Sequence, residues 1–322
     1  MNKNIVWILN NYPPVVLAGA EFAAHRLNRW LLAQGHCVKV YIQSRESYPS
    51  EFEGVQIVPF QLMDCYTMTL EPDTILLSQL WATRSAHPVF DRNPHVKYIE
   101  FVHYVDHTVI SPYPWTNKEF HMVYNSNDTK TRALAIGPWL QTKPSHIIPP
   151  YFEARVSVKP RKDPKAYSSI TLVNFSKDKG ADLFNQLALH DPNPDRKYVG
   201  MKGSHGTQEA PCERVELRDP TLDMESVWEQ TRILVVLSTY ETWSLVATEA
   251  MARGIPVLCA NHIPALKENC GDAAQYVDRT HKEDCLAALE YIESHYAEIS
   301  IKSIEQVKKH VVDLDMYKPL FM

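Results

Sequence analysis

The sequence predicts an α/β protein of two domains, each a parallel sheet with helices on both faces, and three observations carry that prediction. Short apolar runs of buried-strand type alternate with segments of helical spacing along the N-terminal half. The alternation stops across residues 151–169, which are rich in proline, lysine and arginine without an apolar period, and restarts at Ile170. The length of 322 residues is about twice that of a usual domain. Residues 1–150 and 170–312 are therefore read as the two domains, with 151–169 as linker.

The elements follow in order. Ile5 to Leu9 is a buried strand, Glu21 to Gln34 a helix and Cys37 to Ile42 the next strand. Further strands are expected at Thr74 to Leu77, Val96 to Val102 and His121 to Tyr124. In the second half strands are expected at Ile170 to Val173, Arg196 to Val199, Ile233 to Leu237 and Pro256 to Cys259. Helical spacing covers Trp243 to Arg253, Lys282 to His295 and Ser300 to Val312.

Composition narrows the class. The net charge of −5 and the absence of a dense Lys/Arg block argue against a nucleic-acid backbone binder. No apolar run approaches the ~20 residues that span a bilayer, and no secretory signal pattern opens the chain. Six cysteines, scattered without C-x-x-C spacing, read as reduced thiols of a cytoplasmic protein.

The richest stretch runs from Leu237 to Leu258. It sets Glu241 and Glu249 eight positions apart across a strand-to-helix junction, followed by Ala-Met-Ala-Arg-Gly254-Ile-Pro256-Val-Leu. A helix that opens just after a buried strand presents unpaired amides and a positive dipole end, suited to a diphosphate or sugar hydroxyl. With the later Pro264-Ala-Leu-Lys-Glu268 and Gly271-Asp272-Ala273, this stretch resembles the EX7E region of the retaining glycosyltransferases of family 4, whose GT-B fold has two Rossmann-like domains.

The resemblance extends to other loops. Ala18-Gly19-Ala20-Glu21 is similar to the family's Gly-Gly-Ala-Glu motif, with Gly19 near the donor phosphates or the acceptor. His103, at the end of a central strand, matches a histidine placed beside the transferred sugar, and Tyr104 and Asp106 follow it on the acceptor side, with His107 secondary. Lys179-Gly180 resembles a phosphate-binding Lys-Gly element, because an ammonium at a helix start is favourable only if it faces an anion. The family's arginine five positions earlier is replaced by Asn174, for which Lys177 could compensate. Gly200 and Arg218 match positions near the nucleotide and its base.

The resemblance implies a metal-independent transferase, with no cofactor beyond its nucleoside-diphosphate sugar donor. Glu249 would bind the ribose hydroxyls, Glu241 would contact the sugar hydroxyls or stabilise positive charge near the anomeric carbon, and Thr242, Trp243, Ser244 and Leu245 would belong to the donor site. Lys179 would neutralise the departing diphosphate. It also implies that residues 313–322 pack back on the first domain. The acceptor stays open among glycans, lipid-linked sugars, small molecules, proteins and modified DNA. Tyr104, Tyr113, Trp115 and Trp139 could form a stacking platform in the first domain. Asp313-Leu-Asp315 reads as a helix-end acidic pair rather than a metal site.

Two other readings share the fold. A nucleotide-sugar epimerase or sugar phosphorylase would differ in whether a second substrate is consumed. A catalytically silent GT-B binding module would bind without turnover, and Asn174 and Ser244, where the family has arginine and glycine, speak for it. No G-x-G-x-x-G follows either first strand, which argues against a dinucleotide oxidoreductase.

Overall fold

The computed structural model describes residues 2–108, 110, 119–150, 159–204, 208–310 and 316–321. The chain forms two compact units, one of Met1–Val16, Ala20–Tyr151 and Val312–Met322, the other of Leu17–Gly19 and Phe152–Val311.

The first unit holds β1 (Asn4–Leu9), α1 (Gly19–Ala33), β2 (Cys37–Ile42), β3 (Glu51–Phe52), β4 (Val55–Pro59), β5 (Thr74–Gln79), α2 (Thr83–Arg92), β6 (Lys97–Val102), β7 (His121–Tyr124), α3 (Asn127–Ile136) and β8 (Ser145–Ile147). Its sheet runs β3-β4-β2-β1-β5-β6-β7-β8, parallel throughout except the β3–β4 hairpin. Residues 5–9 of β1 are all buried, as a central strand covered on both faces requires. One face packs Trp7, Leu27 and Phe101, the other Ile8, Phe90 and Tyr98. The hairpin has no apolar alternation to announce it. It turns through Glu53 (φ +48°) and Gly54 (φ +83°), and Glu53 is held there by Arg29 at 2.9 Å. The α2 helix carries Pro88 in its interior, which removes the usual helical signal.

The second unit holds β9 (Ser169–Val173), α4 (Ala181–His190), β10 (Lys197–Met201), β11 (Val215–Arg218), α5 (Met224–Gln230), β12 (Thr231–Val236), α6 (Leu245–Met251), β13 (Val257–Ala260), α7 (Pro264–Cys270), β14 (Ala274–Val277), α8 (Lys282–Ser294) and α9 (Tyr296–His310). Its all-parallel sheet runs β11-β10-β9-β12-β13-β14. The expected strands are present, and α9 begins at Tyr296, four residues earlier than its spacing suggested. Ahead of β9, buried Arg161 donates to the carbonyls of Trp228, Thr231 and Arg253 and lies 4.0 Å from the Tyr167 ring centre.

The last element, α10 (Lys318–Phe321), belongs to the first unit. Leu320 and Phe321 enter its core, and the Tyr317 hydroxyl donates to the Pro149 carbonyl at 3.2 Å. Residues 151–158 of the expected linker, Tyr113, Trp115 and Asp313 to Asp315 lie outside the described residues. Among the described residues no helix is long and apolar enough to cross a membrane.

Candidate functional site

In chain order the second sheet reads 3-2-1-4-5-6, so its connections reverse between β9 and β12. A crevice outside the carboxyl ends of the strands at such a reversal is where open α/β sheets hold ligands. Two loops meet there, residues 174–180 after β9 and 237–244 after β12. The Thr239 amide donates to the Asp178 carbonyl at 2.8 Å, tying one loop to the other. The close approach depends on Gly180. Its φ is +89°, and a Cβ at this position would lie 2.5 Å from the Leu237 carbonyl oxygen.

Lys179 and Glu241 come together across these loops. Lys179 Nζ donates to Glu241 Oε1 at 2.7 Å, and Ser238 Oγ donates to the same oxygen at 2.8 Å. The anion facing the Lys179 ammonium is thus a carboxylate of the chain itself. The pair is only partly covered, with side-chain exposures of 28% and 12%.

The helix beyond them is shorter than its spacing implied. Trp243 and Ser244 are loop residues, and α6 spans Leu245–Met251. The reason lies in α7. Buried Asn269 donates through Nδ2 to the carbonyls of Trp243 (2.8 Å) and Ser244 (3.0 Å), and its Oδ1 accepts from Thr248 Oγ1 (3.1 Å). Ser244 then takes a left-handed φ of +75°, with a buried hydroxyl that has no hydrogen-bond partner. Trp243 donates its indole N–H to Thr248 Oγ1 at 3.2 Å and meets His310 edge to face. Leu245 is buried and Thr242 half-buried. Glu249 sits on α6, 9% exposed, with its carbonyl held by Arg253 at 2.8 Å.

The remaining second-unit candidates have local structural roles. Asn174 adopts φ +64°, a conformation asparagine tolerates better than arginine, and its buried Oδ1 is without a partner. Its side chain fills the space over Gly203, where a Cβ would lie 1.8 Å from that oxygen. Gly200 gives way to the Phe175 ring, 2.4 Å from where a Cβ would stand. Lys177 is exposed, and Arg218 on edge strand β11 donates to Glu216 (2.6 Å) and Gln230 (3.1 Å). Gly19 opens α1 and groups with the second unit.

In the first unit, His103 follows β6. Asn125 Nδ2 lies 3.2 Å from His103 Nδ1, so Nδ1 accepts and the neutral ring carries its proton on Nε2. Burial pushes the imidazole pKa down to about 4. Asp106 Oδ1 accepts from the Thr108 amide and hydroxyl, both at 2.6 Å, and the Tyr104 ring lies 5.5 Å from that of Trp81. Trp139 packs against the core beside α3. Asn269, Asn125 and Gly180 were not singled out as site residues from sequence. Only Gly180 carried a signal, its place in the Lys-Gly element.

Residues 215–309 match the family described as Glycosyl transferases group 1. No curated protein sequence matches the chain significantly. Among solved structures, Anabaena Alr3699/HepE in complex with UDP-glucose superimposes with a TM-score of 0.78 at 12% identity, covering 99% of this chain and 98% of that one. Sucrose-phosphate synthase from Thermosynechococcus elongatus gives 0.73 at 13% identity, covering 99% and 97%. Trehalose-6-phosphate synthase OtsA gives 0.71 at 12%, covering 98% of each chain. At such identities the superpositions speak for the fold. They give this chain the GT-B fold, and within it residues 215–309 match the Glycosyl transferases group 1 family.

Proposed function

We propose that the protein is a retaining glycosyltransferase that takes a nucleoside-diphosphate sugar on its second unit and an acceptor on its first. The observation that carries this reading is the Lys179–Glu241 pair at the reversal of the second sheet, half-covered and directly ahead of α6. An ammonium has three N–H donors, so Lys179 can keep its bond to Glu241 and still hold a phosphate oxygen. Positive charge there stabilises the diphosphate as it leaves, which is where negative charge grows in the transition state. On this reading Glu241, fixed by Ser238 and Lys179, accepts from sugar hydroxyls and Glu249 from the ribose diol. No metal is required on this reading. Among the described residues no three His, Cys, Asp or Glu side chains form a metal-ligating group. The six unpaired cysteines support a cytoplasmic location.

UDP-glucose is the first donor to test, because it is the ligand in the HepE structure. Thermal stabilisation by UDP, GDP and ADP and their sugars identifies the base. NMR of the product's anomeric proton then reads retention. Stabilisation by a nucleotide without turnover on a broad acceptor panel would support the silent binding module instead, and an inverted product would remove the retaining assignment.

A further inference from the structure

We propose that Trp81 and Tyr104 form the stacking platform of an acceptor subsite for a pyranose ring, which makes the acceptor a carbohydrate; the inference rests on the glycosyl-transfer reading above. The first sheet reverses between β1 and β5, with β2 and β4 on one side and β6 to β8 on the other. Its ligand crevice therefore lies outside the carboxyl ends of these strands. Trp81 stands two residues beyond the end of β5. The β5–β6 register pairs Gln79 with Phe101, which brings Trp81 level with His103 and beside Tyr104.

The two rings lie 5.5 Å apart at an interplanar angle of 36°. Trp81 is 45% exposed, the most exposed tryptophan among the described residues. It is also held in place. The Trp81 indole N–H donates to Thr108 Oγ1 at 3.2 Å, the Thr108 hydroxyl donates on to Asp106 Oδ1 at 2.6 Å, and Arg84 donates to the Thr108 carbonyl. Thr108 thus clamps the loop after β6 to the turn after β5.

With its one polar atom already bonded, the indole offers solvent an apolar face. A carboxylate and a guanidinium stand close by. A pyranose matches this arrangement, because its axial C–H groups form an apolar face while its hydroxyls project around the edge. An ordered ring loses little conformational entropy on stacking. An alkyl chain would find no use for the charged groups at the rim.

The test uses the whole protein with saturated UDP and a set of methyl α- and β-pyranosides of glucose, galactose, mannose and N-acetylglucosamine, followed by saturation-transfer NMR and tryptophan fluorescence. At least one glycoside should contact the protein through its ring C–H protons and quench tryptophan emission. Trp81→Leu keeps apolar bulk but loses the flat face, and should weaken that binding at least tenfold; Trp81→Phe should retain part of it. Equal binding by wild type and Trp81→Leu, or no glycoside contact at all, overturns the platform. Binding of octyl glucoside without methyl glucoside would assign the ring to an alkyl chain and overturn it as well. Stabilisation of the wild-type protein by UDP, GDP or ADP separates the two readings. Its absence with all three strikes the transferase assignment, while its presence beside a negative glycoside result strikes the platform alone.

Discussion

Lys179 Nζ lies 2.7 Å from Glu241 Oε1, joining the loop after β9 to the loop after β12. The proposed phosphate ligand is therefore charge-balanced and oriented before any donor arrives. Lys179→Ala should lower turnover about a hundredfold or more, the scale of losing one transition-state donor, with a smaller effect on nucleoside affinity. Steady-state kinetics with nucleoside titration checks this. Wild-type turnover would move the phosphate contact to Lys177 or to backbone amides.

Glu249→Ala should weaken nucleotide binding by roughly 10- to 100-fold, the loss of charge-assisted bonds worth about 1.5–3 kcal/mol. Calorimetry with the stabilising nucleotide reads it directly. Unchanged affinity in a folded variant removes Glu249 from the ribose site.

His103 is neutral down to a pKa of about 4, because burial disfavours the imidazolium. A histidine whose folded-state pKa is lowered stabilises the fold fully above its unfolded pKa near 6.5, and that contribution is lost as pH falls toward 4. Denaturant titrations at pH 7, 5.5 and 4.5 should show declining stability, with a shallower decline in His103→Gln. The same variant should transfer sugar more slowly while binding nucleotide normally. An identical pH dependence in both proteins would remove His103 as the source.

Asn269→Ala should cost about 2–3 kcal/mol, because two carbonyls and the Thr248 hydroxyl lose a buried partner. Donor affinity should fall with it, since the bonds that hold Trp243 and Ser244 out of the helix are gone. Asn269→Asp keeps the Thr248 contact but turns a carboxylate toward the two carbonyls, so it should be at least as destabilised near neutral pH. Melting curves and nucleotide titrations decide the point. Normal affinity in a destabilised variant would confine Asn269 to folding.

Turnover should persist in excess EDTA, because Lys179 supplies the cation that a metal would otherwise provide. An assay with and without chelator, followed by magnesium or manganese, checks this. Loss on chelation with recovery on metal addition would overturn the metal-free reading.

Much of the fold was legible in the chain. Runs such as residues 233–236 and 5–9 are buried on both faces of a parallel sheet, and that condition writes itself into sequence as unbroken apolar residues. The β3–β4 hairpin and α2 were not legible, because Glu53 at positive φ and Pro88 inside a helix run against local preference and are stabilised by the rest of the fold. Lys179, Glu241 and Glu249 could be nominated because the loops and the helix that carry them resemble a known family's motifs.

The sequence by itself determined which residues could carry charge at strand ends, and on which half of the chain. The tertiary structure alone decided what those residues face. Lys179 meets a carboxylate 62 positions away, Asn269 sets the start of α6 from 24 positions beyond Leu245, and Asn125 fixes the tautomer of His103 from 22 positions away. Periodicity and composition record burial, which each residue experiences in its own position. A hydrogen bond or a close backbone approach depends on a second residue that only the folded topology supplies, and Gly180 against Leu237 has no meaning until β9 and β12 lie side by side.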